Sequence, residues 1–374
     1  MKRPVIGVDA RYSLRSMRRG IGEYVYQLAR ELADIPRSYD LVLYGDETAE
    51  PEVLKEFQSA YQVNILRARP FALWEQLAWP QSARADGITI LHGTANISPL
   101  MWRGPLALTV MDAIEWHRGK DFPSKIPLRH HLSRIYRMNT LKRVIHRASL
   151  VLTISNHAKV DLVQTLRADA SRIQVIPLAA KLAVMEPRYD KKPYFLALGA
   201  LDPRKNLEGA MKAFGLVERS ELRLKVVGLE PEALPIAREM ARSYGMQSRV
   251  DLEGMISNED LRELYQEATG FLYLSLYEGF GLPLLEAMAL GCPVISSDRS
   301  ALPEVAGQAA VLVDPEDAAA TAAAMSKLAD DGAFRRELIG QGQDRVKLFD
   351  WTTTAKMTHD AYLRLVDQVL RSGR

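Results

Sequence analysis

The chain has 374 residues, of which 47% are hydrophobic and 25% charged; this composition excludes an intrinsically disordered protein and predicts two globular domains. The formal net charge of +3 gives no indication of a nucleic-acid partner. The single cysteine excludes an intrachain disulfide and a zinc site built from cysteines, which favours a reducing cytoplasm. No apolar run is long enough to predict a membrane span, and the first residues, MKRPVIGVDARYS, lack the apolar core of a signal peptide.

Short apolar runs alternate with helical patterns almost throughout the chain, which predicts parallel β-sheets flanked by helices. In the first half, helices are predicted at Tyr24–Ala33 and Ser155–Leu166. The strands predicted there are Val5–Val8, Leu41–Tyr44, Val63–Leu66, Ile88–Leu91, Leu106–Val110, Leu150–Ile154 and Ile173–Ile176.

The same alternation restarts after a proline-containing stretch of weak periodicity between Pro177 and Pro193. Strands are predicted at Tyr194–Leu198, Leu222–Val227, Val250–Leu252, Gly270–Leu274, Pro293–Ser296 and Ala310–Val313. Helices are predicted at Asn206–Val217, Pro231–Tyr244, Asn258–Ala268 and Pro283–Ala289, and further helices from Pro315 onward.

These elements predict an α/β protein with two doubly wound, Rossmann-like domains. We place the first domain at 1–178 and a linker at 179–192. The second domain is expected at 193–357, and a final helix at 358–374 is expected to join the first domain. Two such domains facing one another hold a ligand in a cleft between the carboxyl ends of their strands.

The strongest motif is YEGFGLPLLE, from Tyr277 to Glu286, directly after the strand Gly270–Leu274. It predicts a glycine-containing loop that leads into a helix with Pro283 at its first position and Glu286 in its first turn. The loop amides and the helix N-terminus suit anionic or hydroxyl-bearing groups, and Glu278 and Glu286 suit sugar hydroxyls. The alternative is a capping loop with two solvated glutamates.

A second motif, LGALDPRKNL, follows the strand Tyr194–Leu198 and contains Gly199, Arg204 and Lys205. Adjacent arginine and lysine at the start of a helix suit a diphosphate, because arginine offers a fork of donors and lysine a point charge. The alternative is a proline turn with two exposed bases and Asn206 as the helix N-cap.

Taken together, Gly199, Arg204-Lys205 and the E-x7-E pair Glu278 and Glu286 resemble the retaining GT-B glycosyltransferases of family 4, and the resemblance covers nearly the whole chain. Further matching segments are Gly20-Ile21-Gly22-Glu23-Tyr24, Trp74-Glu75-Gln76-Leu77, Leu91-His92-Gly93-Thr94, Thr153-Ile154-Ser155-Asn156, Leu252-Glu253-Gly254, Gly291-Cys292-Pro293-Val294-Ile295 and Pro303-Glu304-Val305.

The resemblance implies a role for each motif residue. Glu278 would contact the transferred sugar, Glu286 the ribose hydroxyls, and Arg204 and Lys205 the diphosphate. Backbone of Gly254, Met255 and Ile256 would meet the base, and the amides of Phe280, Gly281 and Leu282 would meet the donor sugar.

The sequence departs from the family pattern at two positions. Met111 stands where many relatives have a histidine, although the following Asp112 is present and stays a catalytic candidate. Ala200 stands where many relatives have an arginine after Gly199, which leaves the phosphate charge to Arg204 and Lys205.

Two further regions have open interpretations. Gly20 and Gly22 lie too far after the first strand for a dinucleotide fingerprint and predict either a mobile cleft loop or a plain helix cap. The stretch 125–147 contains seven basic residues, with Leu128, Leu132, Ile135, Met138, Leu141 and Ile145 at helical spacing on the other side. This helix either docks on an anionic membrane or packs on the first domain with a solvated basic face.

We therefore expect a retaining glycosyltransferase that needs neither a metal ion nor a cofactor. It is expected in the cytoplasm and, if the basic helix docks on lipid, at the inner face of the membrane. The resemblance to bacterial mannosyltransferases of surface-polysaccharide assembly makes GDP-mannose the expected donor, and a saccharide or lipid-linked saccharide the acceptor. A GT-B sugar-nucleotide epimerase and an inactive nucleotide-sugar-binding scaffold protein are the alternatives. No Asp-x-Asp motif and no pair of histidines at helical spacing indicates a metal site.

Overall fold

The structure is a computed structural model that describes residues 3–18, 20–117, 128–180, 182–200 and 202–372. Lys125, which we counted in the basic stretch, lies outside the described residues, as do the side chains of Leu128 and Arg129. The described residues form two compact units. One comprises 3–116, 128–178 and 351–372, and the other comprises His117 and 179–350.

The first unit is built on a seven-stranded parallel sheet of order β3-β2-β1-β4-β5-β6-β7. Its strands are β1 Val5–Asp9, β2 Asp40–Asp46, β3 Gln62–Leu66, β4 Ile90–Gly93, β5 Leu106–Thr109, β6 Leu150–Thr153 and β7 Ile173–Val175. Its helices are α1 Ile21–Ala33, α2 Pro51–Gln58, α3 Phe71–Leu73, α4 Trp79–Ala85, α5 Ile114–His117 (whose last residue is grouped with the second unit), α6 Leu128–Val144 and α7 Asn156–Leu166. A π-helical turn at Trp74–Ala78 joins α3 to α4.

The second unit is built on a six-stranded parallel sheet of order β10-β9-β8-β11-β12-β13. Its strands are β8 Lys192–Leu198, β9 Arg223–Val227, β10 Val250–Leu252, β11 Ala268–Tyr273, β12 Val294–Ser297 and β13 Val311–Val313. Its helices are α8 Leu207–Gly215, α9 Ala233–Ser243, α10 Asn258–Glu267, α11 Leu282–Ala289, α12 Leu302–Ala306, α13 Ala318–Asp330 and α14 Gly332–Val346. The chain then returns to the first unit with α15, Trp351–Ser372.

The predicted fold class is confirmed, because every predicted strand is present with ends within two residues of the prediction. Each strand order reverses once, between β1 and β4 in the first sheet and between β8 and β11 in the second. The carboxyl ends of the strands on either side of such a reversal leave a crevice in doubly wound sheets. Each unit therefore has one place where loops from two neighbouring strands can form a site.

Helix α15 is held to the first unit by buried aromatic and histidine side chains. The Tyr362 hydroxyl lies 2.6 Å from Nδ1 of His92, and the Tyr39 hydroxyl lies 2.8 Å from Nδ1 of His359. The rings of Tyr39 and Tyr362 meet edge to face at 5.6 Å. Buried polar side chains are stable only when they are hydrogen-bonded, so these pairs fix the register of the helix on the sheet.

Helix α6 does not present one apolar and one basic face as the sequence suggested. Leu141 and Ile145 are buried in the core, whereas the side chains of Leu132 and Ile135 are exposed. Arg134 and Arg137 do not form a freely solvated basic face either, because both lie 3.2 Å from the carboxylate of Glu115 in α5.

Candidate active site

The carboxyl ends of β8 and β11 bring the two strongest sequence motifs together. These strands are neighbours in the second sheet, so the loops that follow them run side by side. The amide of Leu276, in the loop after β11, donates a hydrogen bond of 2.7 Å to the carbonyl oxygen of Arg204, in the loop after β8. The candidate diphosphate site and the first glutamate of E-x7-E therefore share one edge of the sheet.

Glu278 is buried and lies between two cations. Its Oε1 accepts a hydrogen bond of 2.7 Å from Nζ of Lys205, and its Oε2 lies 3.6 Å from Nη1 of Arg204. Arg204 is also paired with Asp202 at 3.2 Å. The bases at this turn face a carboxylate instead of bulk solvent, which excludes the interpretation of Arg204 and Lys205 as two exposed bases.

The turn that carries these cations is fixed by caps at both ends. The carboxylate of Asp202 accepts from the amide of Arg204, starting a short 3-10 turn over Pro203–Lys205. Asn206 takes a left-handed conformation, with φ of 52°, and its side chain caps α8 by accepting from the amide of Gly209 at 3.1 Å. The Asn206 cap, which the alternative interpretation of this motif included, is thus present. The cap follows directly on Arg204 and Lys205, whose side chains both approach Glu278.

The glycine-containing loop places Glu278 and starts α11. The amide of Glu278 donates to Oγ of Ser300 at 2.9 Å. Gly281 has φ of 114°, and a Cβ there would lie 2.6 Å from a methyl of Leu302, so only glycine fits this N-cap. Phe280 is buried, and Leu282, not Pro283, is the first residue of the helix.

Glu286 does not lie in the first turn of α11, which corrects the sequence prediction. Because Gly281 starts the helix one residue earlier than expected, the first turn contains no acidic residue and Glu286 falls in the second. Stabilisation of the helix dipole therefore does not account for this glutamate, since that effect fades beyond the first turn.

The remaining candidates for donor binding are Gly199, which follows β8, and Gly254–Ile256, which follow β10. A Cβ on Gly199 would lie 2.5 Å from a methyl of Leu229, so glycine is required there for close packing. The amide of Gly228, just after β9, donates to the carbonyl oxygen of Gly254 at 2.8 Å. Met255 is exposed and Ile256 is half-buried. The structure brings these loops to the same sheet edge as Glu278.

A cavity of about 440 Å³ lies at the corresponding edge of the first sheet. The loop after β1 forms one wall, and a Cβ on Gly22 would lie 2.6 Å from the carbonyl oxygen of Tyr12 in that loop. Gly20 has φ of 50° and is the N-cap of α1, and Gly22, in the first turn of α1, lines the cavity. Asp112, whose Oδ1 accepts from the amide of Ile114, lines it as well. Among the other lining residues are Arg15, Arg18, Asn96, Glu115, Trp116 and Arg137.

Sequence reasoning missed a buried charge cluster beside this cavity. Arg11 forms a two-pronged salt bridge with Asp9, and its guanidinium lies 3.9 Å from the Trp74 ring centroid and 3.9 Å from Oε2 of Glu75. Oε1 of Glu75 accepts from the Tyr136 hydroxyl at 2.7 Å. Burial raises the pKa of Glu75 to about 7. Only the match of Trp74-Glu75-Gln76 to family 4 pointed to this region.

His92, which lies near Met111 in sequence, has a structural role. Its ring is fully buried, and its two nitrogens contact the hydroxyls of Tyr362 at 2.6 Å and Thr109 at 2.8 Å. Burial lowers the pKa of His92 to about 3, so the ring is neutral across the physiological range. Met111 is buried, and its amide donates to the side chain of Asn96 at 2.8 Å.

The described residues contain neither a metal-binding cluster nor a helix that could span a membrane. No group of three or more His, Cys, Asp or Glu side chains in the described part of the chain is arranged to hold a metal ion. Among the same residues, no helix combines the length and apolar character needed to cross a bilayer.

Two family models match consecutive parts of the chain. The model of Glycosyltransferase Family 4 matches residues 18–183, and that of Glycosyl transferases group 1 matches residues 181–345. Solved structures with the same fold include sucrose-phosphate synthase from Thermosynechococcus elongatus, with a TM-score of 0.75 and 21% identity over 98% of this chain and 100% of that one. Anabaena HepE in complex with UDP and glucose gives a TM-score of 0.71 and 16% identity over 96% and 99% of the two chains. The fold is therefore GT-B.

Relatives of known activity include mannosyltransferases. The MMP alpha-(1->4)-mannosyltransferase of Mycolicibacterium hassiacum is 32% identical, over 94% of this chain and 96% of that protein. The O-antigen chain mannosyltransferase B of Escherichia coli is 30% identical over 63% of this chain, and the match spans 66% of that protein. With WbdA of Escherichia coli, the match spans 31% of the longer relative. Similarity at this level across a whole relative establishes the family, and the chain belongs to the glycosyltransferases of family 4.

Proposed function

We propose that this glycosyltransferase is a retaining hexosyltransferase that moves mannose from GDP-mannose to a saccharide or lipid-linked saccharide in surface polysaccharide or glycoconjugate assembly. The observation that carries the proposal is the buried Glu278 carboxylate held by Lys205 and Arg204 at the edge of the second sheet. This arrangement supplies fixed positive charge for a diphosphate and a carboxylate for a sugar at one place.

The second unit is proposed as the donor domain. Arg204 and Lys205 would hold the diphosphate, Glu278 the transferred sugar and Glu286 the ribose. The loop Gly254–Ile256 would meet the base, and the amides of 280–282 the sugar hydroxyls. The proximity of the loops after β8, β10 and β11 supports this assignment, because a nucleotide-sugar extends from base to sugar along such an edge.

The reaction is proposed to proceed by front-face attack. The bond between the anomeric carbon and the diphosphate oxygen breaks as the acceptor oxygen bonds to the same face of that carbon, through an oxocarbenium-like state. The departing diphosphate takes the proton of the acceptor hydroxyl. Lys205 and Arg204 stabilise the charge that grows on the diphosphate, and preorganised charge of this kind is usually the largest contribution to catalysis. The positive charge comes from side chains, so the reaction is proposed to need no metal ion or other cofactor.

The first unit, with its cavity at the end of β1 and β4, is proposed as the acceptor-side domain. The cavity combines arginines, carboxylates, an amide and the aromatic residues Tyr12 and Trp116, a mixture suited to hydroxyl-bearing rings. Asp112 is proposed to act there on the acceptor side of the reaction. The enzyme is proposed to work in the cytoplasm, peripherally on the inner face of the membrane, where a lipid-linked acceptor is reached.

Mannose and guanine are the specific parts of this proposal. The two mannosyltransferases above support mannose, whereas HepE has been solved with UDP and glucose. The test is a thermal-shift panel of GDP, UDP, ADP and TDP, because a ligand that binds only the folded state raises the melting temperature. GDP is expected to give the largest shift. A larger shift with another nucleotide would replace the donor and leave the site assignment intact.

Turnover distinguishes the transferase from the two alternative functions. Donor incubated alone should yield at most slow hydrolysis, with no epimer, and donor plus acceptor should yield a glycoside of retained configuration. Activity should persist in EDTA. Epimer formation from donor alone would favour an epimerase, and loss of activity in EDTA that manganese or magnesium restores would refute the metal-independent mechanism.

A further inference from the structure

Ser300, in the loop between β12 and α12, takes a backbone conformation that serine rarely adopts. Its φ is 57°, in the left-handed region where a residue with a Cβ is strained. In the part of the chain that the structure describes, three other non-glycine residues have a positive φ. Asn96 and Asn206 are of the type that best tolerates this region, and Arg167 is the C-cap of α7, where helices commonly end this way. Neither reason applies to Ser300, and strained residues of this kind concentrate at functional sites.

The strained residue contacts the backbone of Glu278. Oγ of Ser300 accepts a hydrogen bond of 2.9 Å from the amide of Glu278, and the amide of the next residue, Ala301, donates to the carbonyl oxygen of Glu278 at 3.4 Å. Glu278 and Ala301 are buried, and Ser300 is half-buried. Two consecutive residues of the β12–α12 loop therefore hold both backbone polar groups of Glu278.

The β12–α12 loop is itself fixed at its base. The amide of Asp298 donates to the carbonyl oxygen of Val313 at 2.9 Å, and the amide of Arg299 donates to Oγ of Ser297 at 3.1 Å. At the other end of the loop, Leu302, the first residue of α12, is fully buried. The loop is thus a fixed support for the residue that it contacts.

These backbone contacts differ from those that hold the Glu278 carboxylate. Lys205 and Arg204 would engage the diphosphate when donor binds, so the side-chain contacts of Glu278 would weaken when the sugar has to be positioned. The hydrogen bonds to Ser300 and Ala301 involve neither cation and would persist. Glycine adopts a φ of this sign without strain, and what serine has beyond glycine is the hydroxyl that accepts from Glu278.

We propose that Ser300 is a positioning residue, whose hydroxyl keeps the backbone of Glu278 in place while Lys205 and Arg204 engage the diphosphate of the donor. The inference rests on the proposed function, because it matters for turnover only if Glu278 contacts the transferred sugar. The hydrogen bond to Glu278 gives a reason for serine at a position where glycine would be free of strain.

Two substitutions separate the hydroxyl from the backbone strain. Ser300→Ala removes the hydroxyl and keeps a strained φ, whereas Ser300→Gly removes both. We expect kcat to fall by the same factor in both variants, about three- to tenfold, the scale of one hydrogen bond between uncharged groups. Ser300→Gly should nevertheless unfold at a higher temperature than Ser300→Ala, because glycine fits the left-handed conformation.

Nucleotide binding should not follow the loss of turnover. GDP lacks the sugar that Glu278 would contact, so its affinity, measured by isothermal titration calorimetry, should stay within about twofold of the wild type in both variants. A loss of GDP affinity equal to the loss of kcat would refute the positioning of Glu278, because it would mean that the whole donor site is disturbed.

Ser297→Ala is the matched control. Ser297 is buried at the end of β12, and its Oγ accepts from the amide of Arg299 in the same loop, whereas that of Ser300 accepts from Glu278. Both alanine variants lose a serine oxygen that accepts from a backbone amide, so both should unfold at a lower temperature than the wild type. Only Ser300→Ala should lose turnover, with Ser297→Ala within about twofold of the wild type in kcat.

Glu278→Gln separates failure of this inference from failure of the proposed function. If Glu278→Gln is inactive while both Ser300 variants keep kcat within twofold of the wild type, the positioning role is refuted and the function of Glu278 stands. Loss of kcat in Ser300→Ala but not in Ser300→Gly would assign the effect to backbone strain and also refute the role of the hydroxyl. Equal losses in Ser300→Ala and Ser297→Ala would leave Ser300 with only a structural role. If Glu278→Gln is fully active, the proposed function of Glu278 itself fails.

Discussion

Nζ of Lys205 lies 2.7 Å from Oε1 of Glu278, so the two side chains neutralise each other's charge. Both side chains are largely shielded from solvent, with exposed fractions of 26% and 11%, and their attraction is therefore stronger than at an open surface. A donor diphosphate would compete with Glu278 for the lysine. As the sugar bond breaks, the growing negative charge on the diphosphate would draw the lysine further.

Lys205→Ala should therefore lower kcat by about a hundredfold or more, the scale seen when one preorganised charge-stabilising group is lost. The charge that Lys205 is proposed to stabilise grows in the transition state, so nucleotide affinity should fall less than kcat. Lys205→Arg should restore only part of the rate, because a planar fork does not occupy the position of a point charge. Steady-state kinetics with the donor identified by thermal shift gives kcat for the wild type, Lys205→Ala and Lys205→Arg.

Lys212→Ala is the control for this series. Lys212 pairs with Glu208 at 2.8 Å on α8, but both side chains are about half exposed, and such surface pairs contribute little. Its loss should leave kcat unchanged. Near-normal kcat in Lys205→Ala with an intact fold would mean that the Arg-Lys turn only starts a helix.

The two glutamates of E-x7-E should separate binding from turnover. Glu278→Ala should mainly lower kcat, because this residue is held at the cations that would stabilise the leaving group. Glu286→Ala, which alters the second turn of α11, should mainly weaken nucleotide binding through the lost ribose contact. Isothermal titration calorimetry with GDP compares the affinities. Equal affinity in the wild type and both variants would contradict the assigned roles.

The sequence predicted most of the fold and the residues at the sheet edge that carries Lys205 and Glu278. Periodicity identified the strands because most of them run through buried parallel sheets, where apolar side chains dominate, although the edge strand β3 has no buried residue. The sequence singled out the two cations and Glu278, but the 2.7 Å contact between Lys205 and Glu278 forms because β8 and β11 are neighbours in the sheet. Along the chain, β9 and β10 lie between these two strands. Strand order of this kind follows from tertiary packing, which a local pattern does not encode.

Other features were beyond local patterns for specific physical reasons. The start of α11 was predicted one residue late, because the prediction took Pro283 as the first helical residue. In the structure the left-handed Gly281 is the N-cap, and the helix begins at Leu282. The exposed Leu132 and the buried Leu141 have the same helical periodicity, and only their neighbours in the fold distinguish them.

The exposed part of α6 leads to a prediction about membranes. If this helix docks on an anionic bilayer, the exposed Leu132 and Ile135 should insert, and the exposed Lys142 and Arg143 should meet the headgroups. Replacing Lys142 and Arg143 by Glu should reduce sedimentation with phosphatidylglycerol vesicles by at least about tenfold, because each basic residue near the surface contributes about 1 kcal/mol. Added salt should have the same effect.

Two further variants make this experiment specific. Leu132→Ser with Ile135→Ser should also weaken vesicle binding, whereas Arg242→Glu with Lys347→Glu, on exposed positions of the second unit, should not. Vesicle binding that ignores salt and all of these changes, or no binding at all, would favour a helix that packs on the first unit and presents its remaining exposed residues to solvent.

Glu75 should make the stability of the protein depend on pH in an unusual direction. Burial raises the pKa of its carboxyl from 4.5 to about 7, while hydrogen bonds from Tyr136 and Gln76 and the charge of Arg11 oppose the rise. Between these two pH values the folded protein holds a proton that the unfolded chain has released. The contribution of Glu75 to the free energy of unfolding is therefore complete below about pH 4.5 and is lost as pH rises through about 7.

Glu75→Gln should remove this loss, because the neutral amide keeps the shape of the carboxyl and carries no charge at any pH. The gap between 4.5 and about 7 corresponds to about 3 kcal/mol, so above pH 7 the variant should be more stable than the wild type by up to about that amount. Urea unfolding at pH 5 and pH 8 measures the difference between the two proteins. The buried His92 titrates equally in the wild type and the variant, so its effect cancels from the difference in their free energies of unfolding. A difference that stays constant between pH 5 and pH 8, or a variant that is less stable at pH 8, would show that Glu75 is ionised in the fold and held by Arg11.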